Sequence, residues 1–164
     1  MRSILKVNWD SNLPIYAISQ SELQKKGIHS LLLDVDGTLV NRKSNMIPKA
    51  VKNWIIESKK LFSLYLISNN PSKKRIQKLA KELNLRYKYN ASKPRKKETL
   101  FVIKEIGIDT ENIAIIGDRI FTDIIVGNRC NIKTILVKRL NKDGLPIKFN
   151  LTLKIEKLIS HFIK

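Results

Sequence analysis

Short apolar runs alternate with segments of helical periodicity along most of this chain, and that alternation limits the folds open to it. The runs lie at 30–34, 64–68 ("LYLIS"), 113–118 ("IAIIGD") and 133–138 ("KTILVK"), with a further short one near 86–91. Between the first two, 47–62 carry Ile47, Val51, Trp54 and Ile55 at helical spacing. The segment 71–84 starts at Pro71 and places Ile76, Leu79, Ala80 and Leu83 on one face, with lysines opposite. Pro94 opens a further expected helix that ends near Gly107, and 120–129 form a short one. Ahead of the first run, Ser19 and Glu22 make a capping box for a helix over 19–27 that Gly27 closes. Strands alternating with helices of this length build right-handed βαβ units. The expected fold is therefore α/β, a three-layer domain around a mostly parallel, five-stranded sheet. No repeat or flexible linker divides the chain, which reads as one domain over 1–164, with 1–27 as an N-terminal extension and 150–164 as a C-terminal amphipathic helix.

The first strand is followed at once by charge. In "LLLDVDGTLV" (31–40), Asp34 and Asp36 stand two apart, a spacing that in a strand puts side chains on the same face. In open parallel sheets ligands bind outside the carboxyl ends of the strands, and the polar residues gather there. The second strand delivers Ser68, Asn69 and Asn70, and the third delivers Gly117, Asp118 and then Asp123. Lys93 stands just before Pro94. Each piece alone has a structural explanation, because "SNNP" is good turn chemistry and "GD" can begin a helix. Three such clusters, each closing a separate strand, outweigh that explanation. Two carboxylates 4 Å apart repel by about 4 kcal/mol at an intermediate dielectric. A cation among Asp34, Asp36, Asp118 and Asp123 would relieve this, and an all-oxygen ligand set favours Mg²⁺.

Charge and composition narrow the partners. Lys and Arg total 32 against 14 Asp and Glu, a formal +18, which favours anionic partners such as phosphate esters, nucleic acid or an anionic membrane. The joint richness in Lys, Asn and Ile is also what an AT-rich genome produces. No run is long enough to span a bilayer, and the first twenty residues lack a secretory signal, so the cytoplasm is the expected location. The single cysteine, Cys130, excludes an internal disulfide and reads as a small buried hydrophobe. His29 and His161 are too isolated to suggest a metal site.

In this order and at these distances, "DVDGTLV", "LISNN", "KP" and "GDRIFTD" resemble the four motifs of the haloacid dehalogenase (HAD) superfamily of phosphatases. More narrowly, "ISNNP", "ASKPRK" and "GDRIFTDIIVGNR" resemble the class IIIA branch that includes phosphatidylglycerophosphate phosphatases, although Gly37 stands where that branch has Asn. The resemblance implies a HAD-like Rossmannoid fold. It also implies Asp34 as nucleophile through an aspartyl-phosphate and Asp36 as general acid and then base. Asp34, the main-chain carbonyl of Asp36 and Asp118 would hold Mg²⁺, with Asp123 in support. Ser68, the main chain at Asn69, and Lys93 would bind and neutralise the phosphoryl group. The segments from Val40 to the second strand and from Asn70 to Lys93 are short, so no large cap is expected and the site would be open to bulky substrates.

The expected function is hydrolysis of a phosphate monoester, with phosphatidylglycerophosphate as substrate and phosphatidylglycerol as product. The alternatives are a phosphatase for a nucleic-acid end, nucleotide or sugar phosphate, and a basic binding protein that has lost catalysis. No specific nucleic-acid partner is expected, because basic residues are not interleaved with aromatic ones. In the tail, Leu151, Ile155, Leu158, Ile159 and Phe162 share one helical face, with Lys154, Lys157 and Lys164 elsewhere. Such a helix suits peripheral contact at the inner face of an anionic membrane, or packing against the sheet or a second subunit.

Overall fold

The computed structural model describes residues 4–148 and 150–162. The elements run in the order β1 (Trp9–Asp10), α1 (Gln20–Lys25), β2 (Ser30–Leu33), α2 (Lys49–Ser58), β3 (Ser63–Ile67), α3 (Lys73–Leu83), β4 (Arg86–Lys88), α4 (Lys97–Ile106), β5 (Ile113–Gly117), α5 (Ile125–Arg129), β6 (Lys133–Leu136) and α6 (Leu151–Phe162). All six strands are parallel, in the order β1-β6-β5-β2-β3-β4. The expected count of five is corrected to six. The added strand is a two-residue edge, Trp9 and Asp10 paired with Ile135 and Leu136, too short to show alternation in the sequence.

β2 is buried along its whole length, and its side chains divide between the two faces of the sheet. Leu31 and Leu33 join the core under α1, α2 and α3 with Val51, Trp54, Ile55, Ile76 and Leu79. Leu32 joins the opposite core with Val102 and Ile103 of α4 and Val126 of α5. Each such fully buried aliphatic side chain stabilises the fold by about 1.5–3 kcal/mol, so both layers of helices are held. The Trp54 indole donates to the Ile18 carbonyl at 2.8 Å, tying α2 to the N-terminal segment, where Ile15 and Ile18 are buried and Leu13 is exposed.

Two helices open on serine caps. Ser19 and Ser72 accept from the backbone N–H groups of Glu22 and Arg75. The helix expected from Pro94 begins instead at Lys97, after a cis Lys93–Pro94 peptide and a short turn. The short helix after β5 opens with a π-helical turn, Ile120–Ile124, before α5.

From β2 the chain winds outward to β3 and β4, then returns to β5 and β6 on the other side. The direction reverses between β2 and β5, and the crevice at such a reversal is where ligands bind in this architecture. Asp34 leaves β2 at that point, and Asp118 leaves β5 beside it.

Among the described residues no helix is long and apolar enough to cross a membrane. α6 lies against the turn after β5, with Leu153 packed beside Ile120, Ile124 and Leu136. Its predicted apolar face points away from the domain: Leu151, Ile155 and Leu158 are 60%, 48% and 59% exposed. The Phe162 side chain and Lys164 lie outside the described part of the structure.

Candidate active site

The carboxyl ends of β2, β3 and β5 and the turn before α4 meet in a cavity of about 520 Å³. Asp34, Asp36, Ser68, Asn69, Lys93, Asp118 and Asp123 all line it, so the structure brings every residue singled out in the sequence to one place.

Lys93 is its fixed cation. The residue is 4% exposed, and Nζ donates to Asp34 Oδ1 at 2.7 Å, Asp123 Oδ1 at 2.7 Å and the Ile67 carbonyl at 2.9 Å. Burial alone would lower its pKa, but the charges of Asp123 and Asp34 outweigh burial and raise it, so the ammonium stays protonated. Its backbone is held as firmly: Asn69 Oδ1 accepts from Lys93 N at 2.7 Å, and Asn69 Nδ2 donates to the Lys93 carbonyl at 2.8 Å. Ser68 is buried, and its hydroxyl accepts from Asn70 N at 3.1 Å, shaping the turn that presents Asn69.

Asp34 is oriented from both sides, because Thr38 Oγ1 donates to its Oδ2 at 3.1 Å while Lys93 takes Oδ1. Asp36 is equally constrained, by Arg75 Nη1 at 2.8 Å from Oδ1 and Asn70 Nδ2 at 2.8 Å from Oδ2. Arg75 also donates to Asn45 Oδ1 at 3.0 Å and to the Ser44 carbonyl at 2.9 Å, joining α3 to the loop ahead of α2.

The third strand end carries the repulsion expected of clustered carboxylates. Ligand atoms of Asp34, Asp118 and Asp123 all lie within 4.8 Å of one another. Asp118 is pushed up from 3.8 to about 7, first by burial and then by the charges of Asp34 and Asp123, against the pull of Arg139. Asp123 is pushed up to about 6, chiefly by burial and secondarily by Asp34, against the pull of Lys93. Arg139 Nε sits 2.5 Å from Asp118 Oδ2. Asp118 Oδ1 is buried with no hydrogen-bond partner among the described residues. A buried acceptor of this kind is costly unless something pairs with it, and a hard divalent cation fits the all-carboxylate surroundings. Asp123 is otherwise engaged, its Oδ1 by Lys93 and its Oδ2 by Arg119 N at 3.2 Å.

Two glycines make this closeness possible. Gly37 has φ +102°, and a Cβ there would lie 2.7 Å from Asp118 Oδ2. A Cβ on Gly117 would meet Asp123 Cγ at 2.3 Å.

Thr38, Arg75, Arg139 and Glu156 were not singled out as site residues from the sequence. Glu156, on α6, is 1% exposed; its Oε2 accepts from Ile120 N at 2.8 Å, and its Oε1 accepts from Arg119 Nη2 at 3.3 Å. Asn70 was visible only as part of the polar cluster after β3. Thr38 stood inside the first motif, whereas the others depend on contacts between distant segments.

The family model described as mitochondrial PGP phosphatase matches residues 2–139. The probable phosphatase YqeG of Bacillus subtilis (strain 168) is 28% identical over 138 residues, covering 83% of this chain and 80% of YqeG. Two solved structures share the fold. An uncharacterized protein from Listeria monocytogenes serotype 4b superposes with a TM-score of 0.57 at 19% identity, over 77% of this chain and 86% of that one. The magnesium-bound putative HAD-hydrolase YfnB of Bacillus subtilis gives 0.55 at 13% identity, over 84% and 99%. With the four motifs assembled in one cavity, the chain belongs to the PGP phosphatase family of HAD phosphatases and is a phosphoric monoester hydrolase.

Proposed function

We propose that the protein is a Mg²⁺-dependent phosphatase that works through an aspartyl-phosphate on Asp34 and converts phosphatidylglycerophosphate to phosphatidylglycerol. The observation that carries the chemistry is the pairing of an oriented carboxylate, Asp34 between Lys93 and Thr38, with the orphaned Asp118 Oδ1 at the neighbouring strand end. Asp34, the main-chain carbonyl of Asp36 and Asp118 would hold the ion, with Asp123 supporting them through Lys93. When bound, Mg²⁺ spreads and neutralises the negative charge of the transferring phosphoryl group.

In the first step an Asp34 carboxylate oxygen bonds to phosphorus as the P–O bond to the leaving alcohol breaks. The Asp36 carboxyl gives its proton to the departing oxygen. In the second step the Asp36 carboxylate takes a proton from water, whose oxygen attacks phosphorus. The P–O bond to Asp34 breaks, and inorganic phosphate leaves. Lys93 keeps its charge throughout and holds Asp34 in place. Ser68 and the main chain at Asn69 would bind the non-reacting phosphate oxygens.

The lipid substrate is supported by the family match over residues 2–139 and by the small inserts around the site, α2 on one side and α3 with β4 on the other. The exposed row Leu151, Ile155 and Leu158 on α6 supports peripheral contact at the cytoplasmic face of an anionic membrane. Basic residues near such a surface contribute about 1 kcal/mol each.

The deciding experiment compares kcat/KM with Mg²⁺ across phosphatidylglycerophosphate in mixed micelles, sugar phosphates, nucleotides and p-nitrophenyl phosphate. The lipid phosphate should be strongly preferred. Efficient turnover of a soluble ester with inert lipid phosphates would leave the phosphatase and remove the lipid role.

A further inference from the structure

A second cleft, of about 320 Å³, opens beneath α6 beside the catalytic cavity. The two adjoin, since Arg139 and Ile147 line both. We propose that this cleft is a subsite for a second phosphate group, diester or monoester, carried on the leaving-group side of the substrate. The inference rests on the phosphatase reading above and extends it to the part of the substrate that does not react.

Charge is the first argument. The lining holds Lys138, Arg139, Lys148, Lys154 and Lys157 against a single carboxylate, Asp10. Asp10 is already paired with Lys157 at 2.6 Å, and Arg139 with Asp118. Lys138 and Lys148 have no ion-pair partner among the described residues. The lining is therefore strongly cationic with little internal compensation, and an anion bound there would supply it.

Shape and surroundings are the second. Val137, Ile147 and Leu153 give the cleft apolar surface, which lowers the local dielectric and strengthens attraction between ammonium groups and an anion. The volume suits one compact polar group with a few attached carbons, at the small end of ligand pockets. Among the described residues no aromatic side chain lines it, so that lining offers a nucleic-acid strand no stacking platform.

The third argument is mechanical. α6 forms one wall of the cleft, and Thr152 on the same helix lines the catalytic cavity. Glu156 fastens that helix to Arg119 and Ile120, the two residues after Asp118. A group bound under α6 is thus held against the same loop that presents the Asp118 carboxylate. Binding energy from a non-reacting part of a substrate can in this way assist the reacting centre.

The test uses the full chain and the double variant Lys138→Gln/Lys148→Gln. kcat/KM is measured for glycerol 3-phosphate, for glycerophosphoglycerol phosphate, and for short-chain dihexanoyl phosphatidylglycerophosphate. The last two carry a phosphodiester that the first lacks, and only the last carries acyl chains. Wild type should favour both diester-bearing substrates by about tenfold or more, the worth of one charge-assisted hydrogen bond. The double variant should lose that preference while keeping its rate on glycerol 3-phosphate. A preference that survives in the variant overturns the subsite, as does a preference for the acylated substrate alone. A larger, lysine-dependent preference for a 5′-phosphorylated oligonucleotide also overturns it and assigns the cleft to nucleic acid. If no phosphomonoester is turned over, the phosphatase reading fails separately. Calorimetric titration with glycerophosphoglycerol phosphate then decides the subsite: affinity about tenfold weaker in the variant supports it, and equal affinities overturn it.

Discussion

Arg75 closes on the second carboxylate of the site, its Nη1 lying 2.8 Å from Asp36 Oδ1. Asn70 holds the other oxygen at 2.8 Å, so each Asp36 oxygen faces a donor. This ion pair would make Arg75 a positioning residue that aims Asp36.

Replacing Arg75 with Gln should separate substrates by leaving group. An alkyl phosphate needs the proton from Asp36, whereas p-nitrophenolate departs without much help. The expected loss of kcat is about tenfold on alkyl phosphates and much smaller on p-nitrophenyl phosphate. Equal losses on both would make Arg75 a structural tie between α3 and the Ser44–Asn45 loop.

The two aspartates of the first motif should fail in different ways. Asp34→Asn should abolish turnover while circular dichroism and thermal melting stay close to wild type, because the side chain sits at the edge of the core. Asp36→Asn should slow release of the intermediate, so that mass spectrometry finds phosphate retained on Asp34. Near-normal hydrolysis by Asp34→Asn would remove the nucleophile assignment.

Metal dependence carries a pH signature. Asp118 and Asp123 stand at about 7 and about 6 against ordinary values of 3.8. A carboxyl raised on folding stabilises the native state fully below its unfolded value, and that contribution is lost as pH rises through the folded value. In EDTA the Tm contribution of this cluster should fall between about pH 4 and about pH 7. Mg²⁺ would bind the ionised carboxylates, so the Tm gain on adding it should grow across the same window. Asp118→Asn should shrink that gain, and activity should vanish in EDTA and return with Mg²⁺.

Asn69 makes a prediction that no phosphate contact is needed to explain. Its amide holds the backbone of Lys93 from both sides. Asn69→Ala removes both bonds, and misplacement of a charged group by a fraction of an ångström should cost about tenfold to a hundredfold in kcat. The thermal midpoint should fall modestly, and KM should change less than kcat.

The parts of this site visible in the sequence are those fixed by strand periodicity. Asp34, Ser68 and Asp118 each follow an apolar run, and a parallel sheet places all such ends together. Lys93 followed from its motif, although the turn after Pro94 delayed the helix to Lys97. What stayed hidden depends on tertiary proximity. Arg75 looked like one cation among many on the outer face of α3, and Arg139 stood in a loop without periodicity. The tail shows why amphipathicity alone does not orient a helix. Leu151, Ile155 and Leu158 form a face that suits either a membrane or packing on the domain; they stay exposed while Glu156 turns inward, where Ile120 N and Arg119 offer partners to a buried carboxylate. Trp9 and Asp10 form a strand only because the backbone of β6 is there to pair with them.

The approach of Gly37 to Asp118 also bears on inheritance. The two positions are distant in sequence yet share one space, and a single added carbon at 37 would lie 2.7 Å from a carboxylate oxygen. Position 37 cannot gain a side chain alone. A lineage that gains a side chain at 37 must shift the loop after β5 in compensation, so the viable path runs through paired changes. In this chain that mutational route begins at the buried Asp118 carboxylate itself, and selection on catalysis will police a glycine that performs none.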